Sequence, residues 1–287
     1  MMFESLIYFY YLKIFLKSFT TLESFVISCI VPFIRMNCDG RFINPILYYQ
    51  IIATSGRCLV SQAIDIFFIF DIPFLETAKH VIFITIENIT KVFFMVYIVT
   101  LLAIFMFWCQ KTNNVNLARK SVHFTLFVIL LRIDHFTKEA LELVLLFNHF
   151  MSSNFSNQPL FQSFKSMRDF GDVNISNILI LATCYFTGFF LFKYEDFIAI
   201  MISLLILDSA TSIIGQFIGS KGRNKLVTGS GVFIAVFTHF LLFSNFQYSI
   251  FYIIIGFIEY FTNMNDNLAI TVGGVIMLRF FRKPLFL

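Results

Sequence analysis

An apolar run from Val92 to Cys109 contains no charged residue and approaches the ~20 residues that a membrane-spanning helix requires. Similar stretches recur along the whole chain, so that 58% of the residues are hydrophobic and only 13% are charged. Globular proteins carry about 25% charged residues, and a chain with half that proportion cannot cover itself in water. We therefore predict an all-α, polytopic integral membrane protein with about 8–10 transmembrane helices.

The chain divides into two parts according to where its polar residues cluster. Residues 1–110 form hydrophobic amino-terminal helices without evident chemistry, in segments near 3–16, 21–36, 43–54, 58–75 and 92–109. Residues 111–287 carry the polar clusters between further apolar segments at 122–133, 139–151, 174–192, 197–219, 231–245, 248–262 and 268–281. We interpret the polar segment 152–172, which is rich in Asn and Ser, as an interfacial loop or an amphipathic helix.

Composition also excludes some kinds of site. The five cysteines are scattered singly, and the five histidines include no HExxH motif, so a zinc site or a disulfide framework is not expected. The net charge of +4 is typical of positive cytoplasmic loops and does not indicate nucleic-acid binding.

The most distinctive stretch begins where the apolar run 197–207 ends in the carboxylate of Asp208. Two glycines four residues apart and a basic loop follow: Gly215, Gly219, Lys221, Arg223, Lys225, Gly229 and Ser230. An acid at the membrane edge, glycines that allow close backbone approach and a basic loop suit a metal-bound phosphate ester. A helix with a small-residue packing face and an ordinary positive cytoplasmic loop explains the same residues equally well.

Charge alternation predicts that four polar clusters meet at one membrane edge. If the loop 220–230 is cytoplasmic, then 110–120, 152–172 and 263–267 fall on the same side, in agreement with the positive-inside rule. The clusters are Arg119/Lys120/His123, Arg168/Asp169, Asp208 with its basic loop, and Glu259 with Asp266 and Asn267. The carboxy-terminal cations conflict with this alternation, because a final span over 268–281 places Arg279, Arg282 and Lys283 outside.

These clusters resemble the motifs of the dolichol kinase family, whose relatives include CTP-dependent polyprenol, phytol and diacylglycerol kinases. The family's nucleotide-binding motif is an Asp-led helix with two glycines, followed by Lys-Lys-Thr-x-Glu-Gly. The corresponding residues here are Asp208-x-x-x-Ser212-x-x-Gly215-x-x-x-Gly219 and Lys225-x-x-x-Gly229-Ser230. Three further matches keep the family's order, namely Ala118-Arg119-Lys120-x-x-His123, Arg168-Asp169 and Glu259-Tyr260-x-x-x-x-x-Asp266-Asn267. The resemblance covers about 117–280.

The resemblance implies transfer of the γ-phosphoryl group of CTP to dolichol at the cytoplasmic face of the endoplasmic reticulum membrane, giving dolichyl phosphate for glycosylation. Asp208 is then the best Mg²⁺ ligand, with Asp266 or Glu259 completing the shell. Either His123 or Asp169 orients or deprotonates the alcohol. The nucleotide contacts are expected from Lys225, Arg223 and Lys221, from the backbone at Gly215, Gly219, Gly229 and Ser230, and from Arg119, Lys120 and Arg168.

The chain departs from the family pattern at three positions. Leu207 replaces the Gly that usually precedes the Asp, and Leu226 and Thr228 stand where the family has Thr and Glu. Three alternatives therefore remain beside a dolichol kinase. They are a kinase for another lipid alcohol such as phytol, farnesol or diacylglycerol, a non-catalytic relative, and a transporter or channel whose charged residues line a path.

Overall fold

The chain is an all-helical membrane protein, as its composition predicts. The structure, a computed structural model, describes residues 5–6, 9–10, 13, 20–37, 74–112, 114–154, 175–190, 193–219, 224–262 and 264–282. Every regular element in these ranges is a helix. Three of the described helices are long and apolar enough to cross a membrane: Ile89–Lys111, Tyr194–Phe217 and Lys225–Phe243. The total number of spans stays a prediction, because 43–54 and most of 3–16 and 58–75 lie outside the described residues.

Most of the described helices overlap the apolar segments predicted from the sequence. The helix Phe74–Glu87 is an exception, because it lies almost wholly between the predicted segments 58–75 and 92–109, and the helix that begins at Val115 starts seven residues before the predicted segment 122–133. In chain order the described helices are α1 Thr21–Asn37, α2 Phe74–Glu87, α3 Ile89–Lys111, α4 Val115–Leu130, α5 His135–Asn154, α6 Ile175–Phe190, α7 Tyr194–Phe217, α8 Lys225–Phe243, α9 Ser249–Phe261 and α10 Asp266–Arg282. Within α7, the six residues Ile202–Leu207 form a π-helical segment between two α-helical parts.

Two compact units are interleaved along the chain. The first takes its residues from 1–97 and 133–182, and the second from 98–132 and 183–287. The predicted boundary at residue 110 lies within the second unit, inside α3.

Local hydrogen bonds define helix starts in the first unit. At α1, the Thr20 hydroxyl accepts the Glu23 N–H (3.3 Å) while the Glu23 carboxylate accepts the Thr20 N–H (2.8 Å), a reciprocal capping box. Asp134 caps α5 by accepting from Thr137, and it also pairs with Lys91. Partial burial raises the pKa of Asp134, but hydrogen bonds from Lys91 and Thr137 outweigh this effect and hold the pKa below its usual value.

Helix α7 forms the centre of the second unit. Every residue from Asp196 to Thr211 is buried, and α7 packs against α4, α8, α9 and α10. Helix α3 has the opposite character, since Cys109 is its buried residue and most of its large apolar side chains are exposed. An exposed, uncharged face of this length suits contact with lipid.

Glycines allow the helices around α7 to approach closely. A Cβ at Gly231 of α8 would lie 2.3 Å from Thr211 Cγ2 of α7. A Cβ at Gly256 of α9 would lie 2.5 Å from Val232 Cγ2, and one at Gly273 of α10 would lie 2.8 Å from Ile258 Cδ1. Small residues at helix crossings are typical of membrane proteins, where van der Waals packing holds the helices together.

Candidate functional site

A polar seam runs between α4 and α7, which lie antiparallel. At its half-exposed end, the Asn116 amide donates to Gln216 Oε1 (3.1 Å) and accepts from the Ser212 hydroxyl (3.1 Å). Further along, Lys120 meets Asp208, and His123 Nδ1 lies 3.3 Å from Ser209 Oγ. From Asn116 to Lys120 the residue numbers rise along α4, while those of their partners fall along α7 from Gln216 through Ser212 to Asp208. His123 then meets Ser209, the residue beside Asp208.

The centre of this seam is a buried ion pair. Lys120 Nζ lies 2.5 Å from Asp208 Oδ2, and the two side chains are only 4% and 9% exposed. His123 Nδ1 lies 3.5 Å from the same carboxylate oxygen. A carboxylate this deeply buried is stable only with a partner, because its desolvation is otherwise uncompensated. Lys120 supplies that partner from a position 88 residues earlier in the chain.

Glu259 joins the site through Thr211. The Thr211 hydroxyl donates to Glu259 Oε1 at 2.7 Å and also lies 3.0 Å from the Asp208 carbonyl oxygen. The second carboxylate oxygen of Glu259, Oε2, is buried and has no hydrogen-bond partner among the described residues. Asp266, at the start of α10, lies close enough to Glu259 for the two negative charges to repel each other. The structure thus places the carboxylates of three helices around one region.

The π-helical segment sets the direction in which Asp208 points. The Asp208 N–H donates to Ser203 O, five residues earlier, where an α-helix would use the residue four earlier. This extra residue rotates the following part of α7 by about 100° relative to a continuous α-helix. Asp208, Ser209 and Ser212 consequently face α4 rather than another neighbour.

The carboxylate oxygens of Asp208 and Glu259 suit a divalent cation that takes its other ligands from phosphate. The described residues contain no group of three His, Cys, Asp or Glu side chains that would hold a metal ion alone. Mg²⁺ commonly uses only one or two carboxylates and takes its other ligands from phosphate and water. Asp208 and the unpaired oxygen of Glu259 match that pattern, although Lys120 now lies on the Asp208 carboxylate.

The structure corrects the predicted basic loop. Helix α8 begins at Lys225, because the Asn224 side chain accepts the Leu226 N–H at 2.9 Å and so caps the helix. Gly229 and Ser230 therefore lie inside a helix, where their N–H groups are engaged by the backbone. A loop that cradles phosphate with these two residues, as the sequence led us to expect, is not present.

The other two glycines have packing or turn roles. A Cβ at Gly215 would lie 3.6 Å from Val227 Cγ1, so this glycine faces α8. Gly219 has a φ of +67° and its N–H bonds to Gln216 O, which ends α7 in the left-handed conformation that glycine favours. Helix packing and helix termination account for both residues.

The remaining predicted residues divide into those near the seam and those outside the described residues. Arg119 is half-buried, and its guanidinium donates to Asn116 Oδ1 at 3.4 Å. Lys225 is exposed and begins α8 six residues before Gly231, which is about 9 Å along the helix axis. Since Gly231 is level with Leu207 and Thr211, Lys225 lies toward the same end as Asp208. Arg168, Asp169, Lys221 and Arg223 lie outside the described residues.

Sequence reasoning missed the uncharged members of the seam. Asn116, Ser209, Thr211 and Gln216 all bond to a neighbouring helix, yet none was a candidate. The spacing of Asp208, Ser212 and Gln216, four residues apart, was the available signal, because such a spacing forms one polar stripe on a helix.

A second polar cluster lies at the other end of α7. His239 Nδ1 lies 2.9 Å from the Tyr252 hydroxyl, and Nε2 lies 3.3 Å from Glu195 Oε1. Asn245 donates to the same Glu195 oxygen at 2.8 Å, and the Tyr248 hydroxyl donates to Asp196. Each polar group shown here has a partner within the cluster, so the cluster ties the ends of α7, α8 and α9 together.

The geometry therefore shows a buried acid–base cluster in the carboxy-terminal half of α7 and a second polar cluster, around His239, near the start of α7. No protein-family model, no curated protein and no solved structure matches this chain.

Proposed function

We propose that the protein is a CTP-dependent lipid kinase that phosphorylates dolichol at the cytoplasmic face of the endoplasmic reticulum membrane. The observation that carries the proposal is the buried contact of Asp208 with Lys120 and His123, joined through Thr211 to Glu259. These residues come from three separate motifs that resemble those of dolichol kinases. Their convergence is what a shared catalytic site requires.

The cations of α4 and α8 would bind the donor. Lys120 is a compact, flexible ammonium group that can contact phosphate oxygens, and Arg119 lies one residue before it. Lys225 adds a charge at the start of α8, where the positive end of the helix dipole also favours an anion. We do not assign the nucleotide to the backbone of Gly229 or Ser230, because both are helical.

Asp208 and Glu259 would hold the divalent cation that accompanies CTP. When bound, this Mg²⁺ ion neutralises charge on the phosphates. The two side chains supply oxygen ligands from different helices, and Thr211 keeps the Glu259 carboxylate beside the turn that carries Asp208. Asp266 would add a third negative charge beside Glu259, and a bound cation would relieve the repulsion between these two carboxylates.

In the reaction, the dolichol hydroxyl oxygen attacks the γ-phosphorus. A new oxygen–phosphorus bond forms, the bond from the γ-phosphorus to the bridging oxygen breaks, and CDP leaves. The hydroxyl proton passes to a base, for which His123 is the described candidate because its ring lies 3.5 Å from Asp208 Oδ2. The isoprenoid tail would remain in the bilayer throughout, beside the apolar helices that surround the site.

The proposal is tested by phosphorylation of dolichol with γ-labelled CTP by the purified protein. We expect incorporation that depends on a divalent cation and on CTP rather than ATP. The Asp208→Asn variant should lose about 100-fold or more of the rate, because it removes both the charge that balances Lys120 and a metal ligand.

The matched control for that variant is Asp196→Asn, which neutralises another buried acid of α7 at its opposite end. This control should retain activity if it folds, as judged by monodisperse elution and a cooperative thermal transition. A lipid panel with phytol, farnesol and diacylglycerol identifies the acceptor. Wild-type protein that transfers phosphate to none of these alcohols would refute the kinase proposal and favour a non-catalytic relative.

A further inference from the structure

The two carboxylates at the centre of the site differ in their partners. Asp208 Oδ2 accepts from Lys120 Nζ at 2.5 Å and lies 3.5 Å from His123 Nδ1. Glu259 receives the Thr211 hydroxyl on Oε1, while its buried Oε2 has no hydrogen-bond partner among the described residues. Asp208 is therefore already paired with the Lys120 ammonium group, whereas Glu259 keeps one carboxylate oxygen without a partner among the described residues.

We propose that Lys120 is a resident counter-ion that competes with the metal ion for Asp208 and leaves when a triphosphate arrives. The inference rests on the proposed function, because it assigns a positioning role to Lys120 within that same site. In the nucleotide-free protein, the ammonium group takes the place of a metal ion on the Asp208 carboxylate. Binding of the nucleotide moves Lys120 onto phosphate and releases Asp208 for the cation.

Electrostatics explains why both cations cannot share the free site. An ammonium group and a divalent ion on one carboxylate would lie a few ångströms apart, and their repulsion is poorly screened because Lys120 and Asp208 are only 4% and 9% exposed. A triphosphate supplies the negative charge that removes this conflict. Each carboxylate and each cation then keeps a partner of opposite charge.

The side chain of Lys120 suits such an exchange. Lysine carries its charge on a flexible four-carbon stem, so the ammonium group can move by several ångströms without movement of the helix. The neighbouring cation Arg119 does not contact Asp208 in this way, since its guanidinium donates to Asn116 Oδ1 in the half-exposed part of the seam. Breaking the pair without a replacement would leave a buried carboxylate unpaired, which links release of Lys120 to arrival of the metal ion.

The experiment measures Mn²⁺ binding to the purified full chain by electron paramagnetic resonance, without nucleotide. Wild-type protein should bind Mn²⁺ weakly, and Lys120→Gln should bind about tenfold more tightly or better, because the competing charge is gone. Lys120→Arg, which retains the charge, should stay near the wild-type affinity. The double variant Lys120→Gln/Asp208→Asn should lose the gain, which locates the effect at Asp208.

Two additions keep the test decisive if Lys120→Gln folds poorly. Lys120→Met preserves the volume of the stem, and Mn²⁺ should raise its thermal midpoint more than that of wild type, because the ion replaces the missing partner of Asp208. Lys193→Gln removes an exposed cation at the other end of α7 and should change nothing.

The proposed exchange would be overturned if Lys120→Gln and Lys120→Met bound Mn²⁺ no more tightly than wild type and were not stabilised by it. An equal gain in Lys120→Arg would overturn it too. These results are separate from phosphoryl transfer: a protein that phosphorylates dolichol but fails the Mn²⁺ test loses only the exchange. A protein that passes the Mn²⁺ test without transfer is a metal-binding protein whose kinase role is wrong.

Discussion

Thr211 connects two acidic residues with a single hydroxyl group. It donates to Glu259 Oε1 at 2.7 Å and lies one turn after Asp208 on α7. Its methyl group meanwhile contacts α8, where a Cβ at Gly231 would come within 2.3 Å. At the scale of single residues, the site therefore depends on the uncharged side chain of Thr211, whose methyl group packs against α8 and whose hydroxyl group bonds to Glu259.

We predict that Thr211→Val destabilises the protein by about 1–3 kcal/mol, because the isosteric change keeps the packing and leaves the Glu259 carboxylate without its donor. Denaturant or SDS unfolding in detergent measures the effect. Thr211→Ser keeps the hydroxyl and serves as the matched control. In a Glu259→Ala background the valine substitution should have a much smaller effect, and an undiminished effect there would show that the hydrogen bond is not the cause.

At the scale of helices, α7 combines complete burial with an irregular backbone. The π-helical residues Ile202–Leu207 are at most 7% exposed, so neighbours surround the irregular segment on every side. Irregular helical turns are frequent at functional sites, where they redirect a side chain. Here the redirected side chain is that of Asp208, and α8 approaches α7 directly beside it through Gly231.

The crossing of α7 and α8 gives a prediction with an internal control. Gly231→Ala should destabilise the protein by about 1–3 kcal/mol, because its Cβ would lie 2.3 Å from Thr211 Cγ2 and 3.2 Å from Leu207 O. Gly229→Ala, two residues earlier on the same helix, meets nothing within 4 Å and should stabilise the helix by up to about 1 kcal/mol. Thermal unfolding of both variants in one detergent compares them, and equal midpoints would contradict the close crossing.

At the scale of the whole molecule, the second unit has two chemically different ends. Helix α8 has 19 residues and is about 28 Å long, close to the thickness of the hydrocarbon core of a bilayer. The Asp208 site lies toward the amino-terminal end of α8, and the polar cluster around His239 lies toward its carboxy-terminal end. The acidic and basic site and the His239 cluster therefore lie toward opposite ends of α8.

This arrangement predicts the sidedness of two exposed positions. Cysteines introduced at Ile218 and at Gln247 should react with a membrane-impermeant maleimide from opposite sides of sealed vesicles, because α8 lies between them. Labelling of the parent protein, which contains native cysteines, is subtracted. Reaction of both positions from the same side would mean that α8 does not span the membrane.

The amino-acid sequence by itself determined the class of the protein, the approximate positions of most described helices and the acidic and basic residues of the candidate site. These follow from local properties, since hydropathy and charge are read within one segment at a time. The sequence missed α2 and placed the start of α4 too late, because polar residues interrupt the hydropathy signal there. It also placed the start of α8 after Ser230, where the glycines and polar residues had indicated a loop, whereas α8 begins at Lys225.

Only the tertiary structure decided which of these residues meet. Lys120 and Asp208 are 88 residues apart in the chain, and Thr211 and Glu259 are 48 apart. Their contacts depend on the register of packed helices and on a π-helical segment that rotates part of α7. Register is set by many weak contacts acting together, such as Gly231 against Thr211, and no single stretch of sequence contains that information.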